Sequence, residues 1–362
     1  MVGSRSLVTP TSNPQLEKAL REKLSRRNQP GGRLGELEPL AIRLALMQNT
    51  LTPVLHDPRL LVFAADHGLV VDGICDAAAR PTLETVQQVL AQQLPLAVFA
   101  RAQGLAVTVV DCGMAQDVPP HEQLLMRKIA HGTRNTRAAL AMTPEQAHAG
   151  IRAGMEIGEK LRGNATALAG VGLGSHESSA LVLSRLTNSP VRDLIVSGPQ
   201  TETGFLTHAM NVLAQSQARH RAATEPIDVL AAFGGFEVAV MVGVILMAAS
   251  KRHLLVIDGA PACAALMVAS RIARPVTDYC VFCRSHSHRG LDQALNLFQS
   301  SALLELGMES TDGTGAALAW PLIKSAAALL SDPAAGPADQ DGLAKPFAEP
   351  LTDLSLLGPG LY

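Results

Sequence analysis

Short apolar runs alternate along the chain with stretches of helical period, and the apolar runs stop at polar clusters that contain glycine. Arg59 to Ala65 reads as a buried strand that ends in Asp66-His67-Gly68, and a helical region from Pro81 to Ala102 follows. The unit then recurs. Ala106 to Val110 is a strand ending in Asp111-Cys112-Gly113, and a polar loop leads to a helix from Thr143 to near Gly163. Ala165 to Val171 is a third strand, closed by Gly172-Leu173-Gly174-Ser175-His176 before a helix from Glu177 to Leu186. Asp193 to Val196 is a fourth, ending in Ser197-Gly198-Pro199. Gly234-Gly235-Phe236-Glu237 opens a long apolar helix, followed by the strand Leu254 to Ile257 with Asp258-Gly259, another helix, and a strand from Thr277 to Phe282. Strands buried on both faces alternating with helices predict an α/β fold with a parallel sheet. Two helical stretches upstream, Asn13 to Arg27 and the run ending at Gln48, fall outside that repeat.

In such a sheet, ligands bind outside the carboxyl ends of the strands. Here those ends carry glycine together with Asp, Ser or His, which predicts a broad polar pocket able to hold phosphate and sugar oxygens on backbone donors. A further glycine-rich stretch, Thr311 to Ala319, leads into the helical run Trp320 to Leu330 and carries one carboxylate, Asp312. It reads either as a helix N-cap or as a reactive group beside an anion site.

Composition narrows the ligand. The 362 residues are 47% hydrophobic and 17% charged with a net charge of -2, so the chain can bury a large core but lacks the basic field that nucleic acid or an anionic membrane would require. One Trp, two Tyr and eight Phe leave little for base-stacking platforms. A small molecule is the expected ligand. Met1 to Pro14 lacks the pattern of a secretory signal, and no run reaches the length of a membrane span. Five scattered cysteines argue against a disulfide framework and for a reducing cytoplasm.

Familiar motifs mostly fail. Gly170-Val171-Gly172-Leu173-Gly174 follows a strand but has the wrong spacing for a dinucleotide loop, and neither a Walker A lysine nor a nucleophile elbow is present. Cys280, Cys283, His286 and His288 lie within nine residues and form the most metal-like string. Residues three apart on a strand face opposite ways, however, which favours small apolar roles for the thiols over zinc. His67 beside Asp66 reads as a base with its orienting carboxylate or as a turn cap, and Glu237 as a sugar-hydroxyl acceptor or a helix cap.

Several segments together resemble the nicotinate-nucleotide:dimethylbenzimidazole phosphoribosyltransferases. They are Pro30 to Glu38, Val62 to Gly68, His131-Gly132-Thr133-Arg134-Asn135 through Ala141-Met142-Thr143, Phe233 to Glu237, Ile257-Asp258-Gly259, and Asp312 to Ala319, in matching order from about residue 30 to 330. The resemblance implies a Rossmann-like parallel sheet flanked by helices over residues 51–330, with a smaller helical domain from the termini. Residues 1–50 would form the N-terminal part of that domain, and the tail 331–362 would pack with it. It implies a homodimer, with a paralogous subunit as an alternative partner. The implied reaction moves 5-phosphoribose from nicotinate mononucleotide to an aromatic base, without metal or cofactor. Asp312 stands where the family has its general base. Asp66, His67, Cys75, Gly174, Ser175, His176 and Ser178 stand at substrate-contacting positions, as do Gly198, Gly204, Gly234, Gly235, Glu237, Asp258, Gly259, Ser285, Gly313, Thr314 and Gly315.

The departures bear on specificity. The family's Gly-Glu-Gly-Thr-Gly is Thr311-Asp312-Gly313-Thr314-Gly315 here, so the carboxylate is one methylene shorter. Its Gly-Glu-Met-Gly-Ile-Gly-Asn-Thr-Thr is Gly170 to Ser178, with Val171 in place of a functional Glu. The base-pocket segment after Gly73 is Ile74-Cys75-Asp76-Ala77-Ala78-Ala79, the family's lysine beyond Gly198 and Gly204 has no evident counterpart, and Arg284 to Leu291 is altered. These changes predict altered base specificity, or alternatively a noncatalytic nucleotide-binding homologue that regulates an active paralogue.

Overall fold

The computed structural model describes residues 7–28, 32–75, 79–195, 203–284, 293, 295–306, 308 and 312–331. Two N-terminal helices, α1 (Pro14–Asn28) and α2 (Leu37–Gln48), precede the first strand, β1 (Arg59–Ala65). The helical region after it is two helices, α3 (Thr82–Leu90) and α4 (Pro95–Gln103), broken where Gln92 takes a left-handed conformation before Pro95. β2 (Ala106–Gly113), a short β3 (Leu124–Met126), α5 (Pro144–Lys160) and β4 (Ala165–Val171) follow, and then α6 (Ser175–Thr187).

One expected strand is absent. Val191–Asp193 is a 3-10 turn and Leu194 continues it, so the run Asp193 to Val196 is no strand over its described residues. Pro190 presets that turn, and three apolar residues are too few to outweigh it. α7 (Thr203–Arg219), α8 (Pro226–Phe233) and α9 (Phe236–Ser250) carry the chain to β5 (Leu254–Ile257) and α10 (Gly259–Ile272). Arg274–Tyr279 forms another 3-10 turn because Pro275 lies there, so the next strand, β6 (Cys280–Arg284), starts later than its apolar pattern suggested. β7 (Ala302–Leu304) and α11 (Thr314–Ser331) complete the described elements, and Thr314 to Ala319 belong to the helix rather than to a turn before it.

The seven strands among the described residues are all parallel, in the order β3-β2-β1-β4-β5-β6-β7. The chain therefore reverses direction across the sheet between β1 and β4, which creates the crevice where ligands of such folds sit. Six of seven residues in β1 and all in β4 are buried, because helices cover both faces.

α9 is the deepest helix. It is apolar on all sides, and it packs against α5 through a stripe of glycines. Gly150, Gly154 and Gly158 recur every four residues and so share one face of α5. A Cβ on Gly154 would lie 1.9 Å from the Val240 carbonyl oxygen, and one on Gly243 of α9 would lie 2.0 Å from that of Ile151. The two backbones touch. On the other side, α11 packs on α2 and α4 and also touches α1. Lys23 of α1 donates to the Leu330 carbonyl at 2.6 Å, and Ser331 donates to that of Pro53.

Candidate active site

β1 ends in Asp66-His67-Gly68 and β4 ends in Gly172-Leu173-Gly174, side by side at the switch point. His67 is 5% exposed and Glu237, in the first turn of α9, is fully buried. Their side chains meet at 3.0 Å between Nε2 and Oε1, and the Ser175 hydroxyl of α6 donates to the same Oε1 at 2.7 Å. Three elements are thus joined through one oxygen. Burial pulls the His67 pKa down, but the adjacent Glu237 charge, their hydrogen bond and the nearby Asp66 and Glu177 outweigh it, so the imidazole is more basic than usual.

Gly235 makes room for the pair. A Cβ there would lie 2.1 Å from Glu237 Oε2 and 2.4 Å from His67 Cε1. Oε2 itself is buried without a hydrogen-bond partner, so one acceptor stays available beside the cluster. Gly234 is equally tight against Leu230, and Gly174 adopts a left-handed turn, with a site for Cβ 3.0 Å from His67 Cβ.

Asp66 is a loop organiser. Its carboxylate accepts from the Thr82 hydroxyl at 2.5 Å and from the Ala115 N–H at 2.8 Å, while Thr82 accepts from Leu173 N–H at 3.0 Å. The ends of β1, β2 and β4 are thereby tied together. Asp258, fully buried at the end of β5, accepts from the Ala316 N–H at 3.2 Å and holds the start of α11 over the sheet edge. Gly259 has positive φ at the mouth of α10. Asp312 is half-buried, and its Oδ1 accepts from both the N–H and the hydroxyl of Thr314, at 3.0 and 2.6 Å. Gly313 and Gly315 are buried beside it.

The remaining expected residues divide. Cys75 is half-buried next to Gly174, and burial pushes its thiol up to about 12. His176 is half-buried at the start of α6 and is pushed down to about 4 by burial. Ser178 turns its hydroxyl to the Phe233 carbonyl at 2.6 Å, so its side chain links α6 to α8. Gly204 is exposed in α7. Gly198, Ser285, His286 and His288 lie outside the described residues. Cys280 and Cys283 donate to the carbonyls of Val276 at 3.3 Å and Ile257 at 3.1 Å, each buried in its own position. Val171, the last residue of β4, is buried and apolar.

The model of the phosphoribosyltransferase family (DBI_PRT) matches residues 9–336. This chain belongs to that family. The nicotinate-nucleotide--dimethylbenzimidazole phosphoribosyltransferase of Cupriavidus taiwanensis is 41% identical over 326 residues, covering 88% of this chain and 94% of the relative. The enzyme of the same name from Variovorax paradoxus is 40% identical, with 86% and 90% covered. The crystal structure of nicotinate-nucleotide-dimethylbenzimidazole phosphoribosyltransferase from Thermus thermophilus superposes with a TM-score of 0.82 at 30% identity, covering 88% of this chain and 96% of that one.

The phosphoribosyltransferase segment from His131 to Thr143 has a structural task in this chain. Ala141 and Met142 donate their N–H groups to the carbonyls of Ala232 and Ala231, and Thr136 donates to Ala232 at 2.7 Å, so the loop below β2 locks the end of α8 and aims Gly234-Gly235 at His67. Thr82, which ties Asp66 to the Leu173 N–H, is a residue that pattern reasoning passed over, because it looks like an ordinary helix start. Burial raises the Glu177 carboxyl above its usual range, and its charge acts on both His67 and Cys75.

Proposed function

We infer that the protein transfers 5-phosphoribose from nicotinate mononucleotide to a benzimidazole-like aromatic base, the lower-ligand activation of cobalamin biosynthesis. The observation that carries this reading is the match of the family over nearly the whole described chain, together with the His67, Ser175 and Glu237 cluster standing at the switch point of the sheet. Chemistry agrees with these residues. The nicotinate leaving group of the substrate is a cationic pyridinium, so it departs as a neutral ring without an acid, while the incoming azole must lose a proton to a carboxylate. Backbone N–H groups in the first turns of α6 and α9 suit the phosphate and ribose oxygens.

Within this reading, Asp312 and Glu237 face the reacting nucleotide, Cys75 borders the base, and the glycines at 174, 234, 235, 259, 313 and 315 let it approach the backbone. The chain acts as a homodimer in which the helices before residue 50 pack with α11 as a smaller unit. Light scattering of the purified protein at twice the chain mass of 38.0 kDa supports the dimer, and a monomer refutes it. The activity is tested by nicotinate release from nicotinate mononucleotide across benzimidazoles, purines and phenols. Release that depends on the added base is expected; binding of the nucleotide without release from any acceptor overturns the transferase reading.

A further inference from the structure

We propose that the turn after β2 is a monovalent-cation site filled by the chain's own Lys128 ammonium, and that this internal cation positions Asp66 at the edge of the candidate site. The cation site rests on geometry, and its bearing on catalysis rests on the transferase reading above. Arg127 and Ile129 donate their backbone N–H groups to the carbonyls of Asp111 and Cys112 at 2.8 and 2.9 Å. The stretch after β3 thus runs beside the end of β2 and delivers Lys128 to the turn that follows.

Four oxygens surround its Nζ. The Asp117 carboxylate lies at 2.8 Å, the carbonyls of Met114 and Gln116 at 3.0 and 3.2 Å, and Asp111 Oδ2 at 3.4 Å. The three N–H donors of the ammonium are used on the first three, and the Asp111 carboxylate, fully buried, adds its charge from behind. Carbonyls of one turn aimed at a single atom and backed by a buried carboxylate make the kind of oxygen cage that replaces the water around potassium. Burial disfavours the ammonium, but its bonds to Asp117 and Asp111 outweigh that, so Lys128 holds its proton more firmly than a surface lysine.

The caged turn is bonded directly to the strand ends. Ala115, between the two carbonyls, donates its N–H to Asp66 Oδ2 at 2.8 Å, and the Gly113 carbonyl accepts from the N–H groups of Asp66 and Gly132 at 3.1 and 3.0 Å. A Cβ on Gly113 would lie 2.5 Å from the ring of Phe236, the residue before Glu237. Asp66 in turn holds Thr82, and its neighbour His67 meets Glu237 at 3.0 Å. With no cation between them the four oxygens repel, the turn opens, and the Ala115 N–H leaves Asp66. Lys128 is therefore a positioning residue that acts through Ala115 and Asp66.

Lys128→Ala removes the tethered ammonium and leaves room for a free ion. Its melting temperature and its nicotinate release with benzimidazole are measured in choline, potassium and ammonium chloride, each at about 200 mM and each relative to wild type in the same salt. In choline, whose cation is too large for the cage, kcat is expected to fall about 10-fold or more. A site half-filled at about 10 mM shifts the folding equilibrium about 20-fold at that salt concentration, so potassium or ammonium raises the variant's melting temperature by about 3 °C over choline and recovers most of kcat. Wild type, its cage already filled, responds to the three salts alike. A variant equally impaired in all three salts overturns the proposal, and so does one that matches wild type in choline. Melting that recovers with potassium or ammonium while kcat stays low overturns the positioning of Asp66. Should Lys128→Ala fold in none of the salts, Lys128→Ser is read in its place, and a second failure in all three overturns the cation site. An inactive wild-type protein is seen before any variant is read and marks failure of the transferase reading itself, while the melts test the cation site regardless.

Discussion

Replacing Glu237 with Gln keeps shape and leaves an acceptor for Ser175, but removes the charge that His67 faces at 3.0 Å. Both partners are buried, with side-chain exposures of 2% for His67 and 0% for Glu237, so solvent cannot compensate. Removing one member of a buried pair typically costs about 3–5 kcal/mol. Because Gln still satisfies Ser175, we expect about 3 kcal/mol where His67 is protonated. The pH dependence carries the sign. The His67 pKa is raised in the folded protein, so the pair's stabilisation is complete below the ordinary histidine pKa near 6.5 and is lost as pH rises through the higher folded value. In Glu237→Gln, burial is left as the dominant influence, the imidazole turns less basic than usual, and stability instead falls as pH drops below about 6.5. Urea denaturation of both proteins from pH 5 to 9, with the His67 ring followed by NMR, measures each part. The stability gap should be widest at the acidic end and narrow towards pH 9. A gap independent of pH, or a wild-type His67 titrating below 6.5, refutes the reasoning.

Three further outcomes follow from the geometry. Gly154→Ala gains about 1 kcal/mol of helix propensity but sets a methyl 1.9 Å from the Val240 carbonyl in a fixed backbone contact, so a net loss of about 3 kcal/mol or more is expected in denaturant melts, and a stabilised variant refutes the close approach. His253, buried and 2.8 Å from the Thr166 hydroxyl, is pushed down to about 4 by burial, so the unfolded chain binds a proton that the folded one refuses. Stability should fall by about 3 kcal/mol between pH 6.5 and 4 on its account, and His253→Gln should flatten that slope; an unchanged slope is contrary evidence. Asp312→Ala removes both Thr314 hydrogen bonds and should cost about 1 kcal/mol, whereas Asp312→Asn retains an acceptor and should melt near wild type. Equal losses in the two variants show that Asp312 does not act as the cap.

Much of the fold is written locally. Arg59 to Ala65, Ala165 to Val171 and Leu254 to Ile257 appear as strands with the bounds their apolar runs predict, because a strand covered on both faces must be apolar throughout. The glycine and polar residues at their ends likewise announce the ligand edge of a parallel sheet. Patterning failed where prolines set local turns: the described residues from Asp193 to Ile195 and the stretch before Cys280 carry apolar residues but lie in or just after 3-10 turns instead of strands. β3 and β7, at three residues each, are too short to show a period.

The chemistry divides along the same line. Asp66, His67, Glu237 and Asp258 are visible in the chain as polar residues beside glycine, because backbone turns at strand ends demand such neighbours. Their partners are not. His67 and Glu237 are 170 residues apart and Asp258 meets Ala316 across 58, and no periodicity encodes which strand end lies beside which. That depends on the order β2-β1-β4-β5, which puts the first and fourth strands together. The tertiary structure alone therefore decided that Ser178 faces α8 and that Asp312 bonds the first residue of α11. Residue type sets what a side chain can do, while burial and charged neighbours brought from distant segments set the pKa at which it does it.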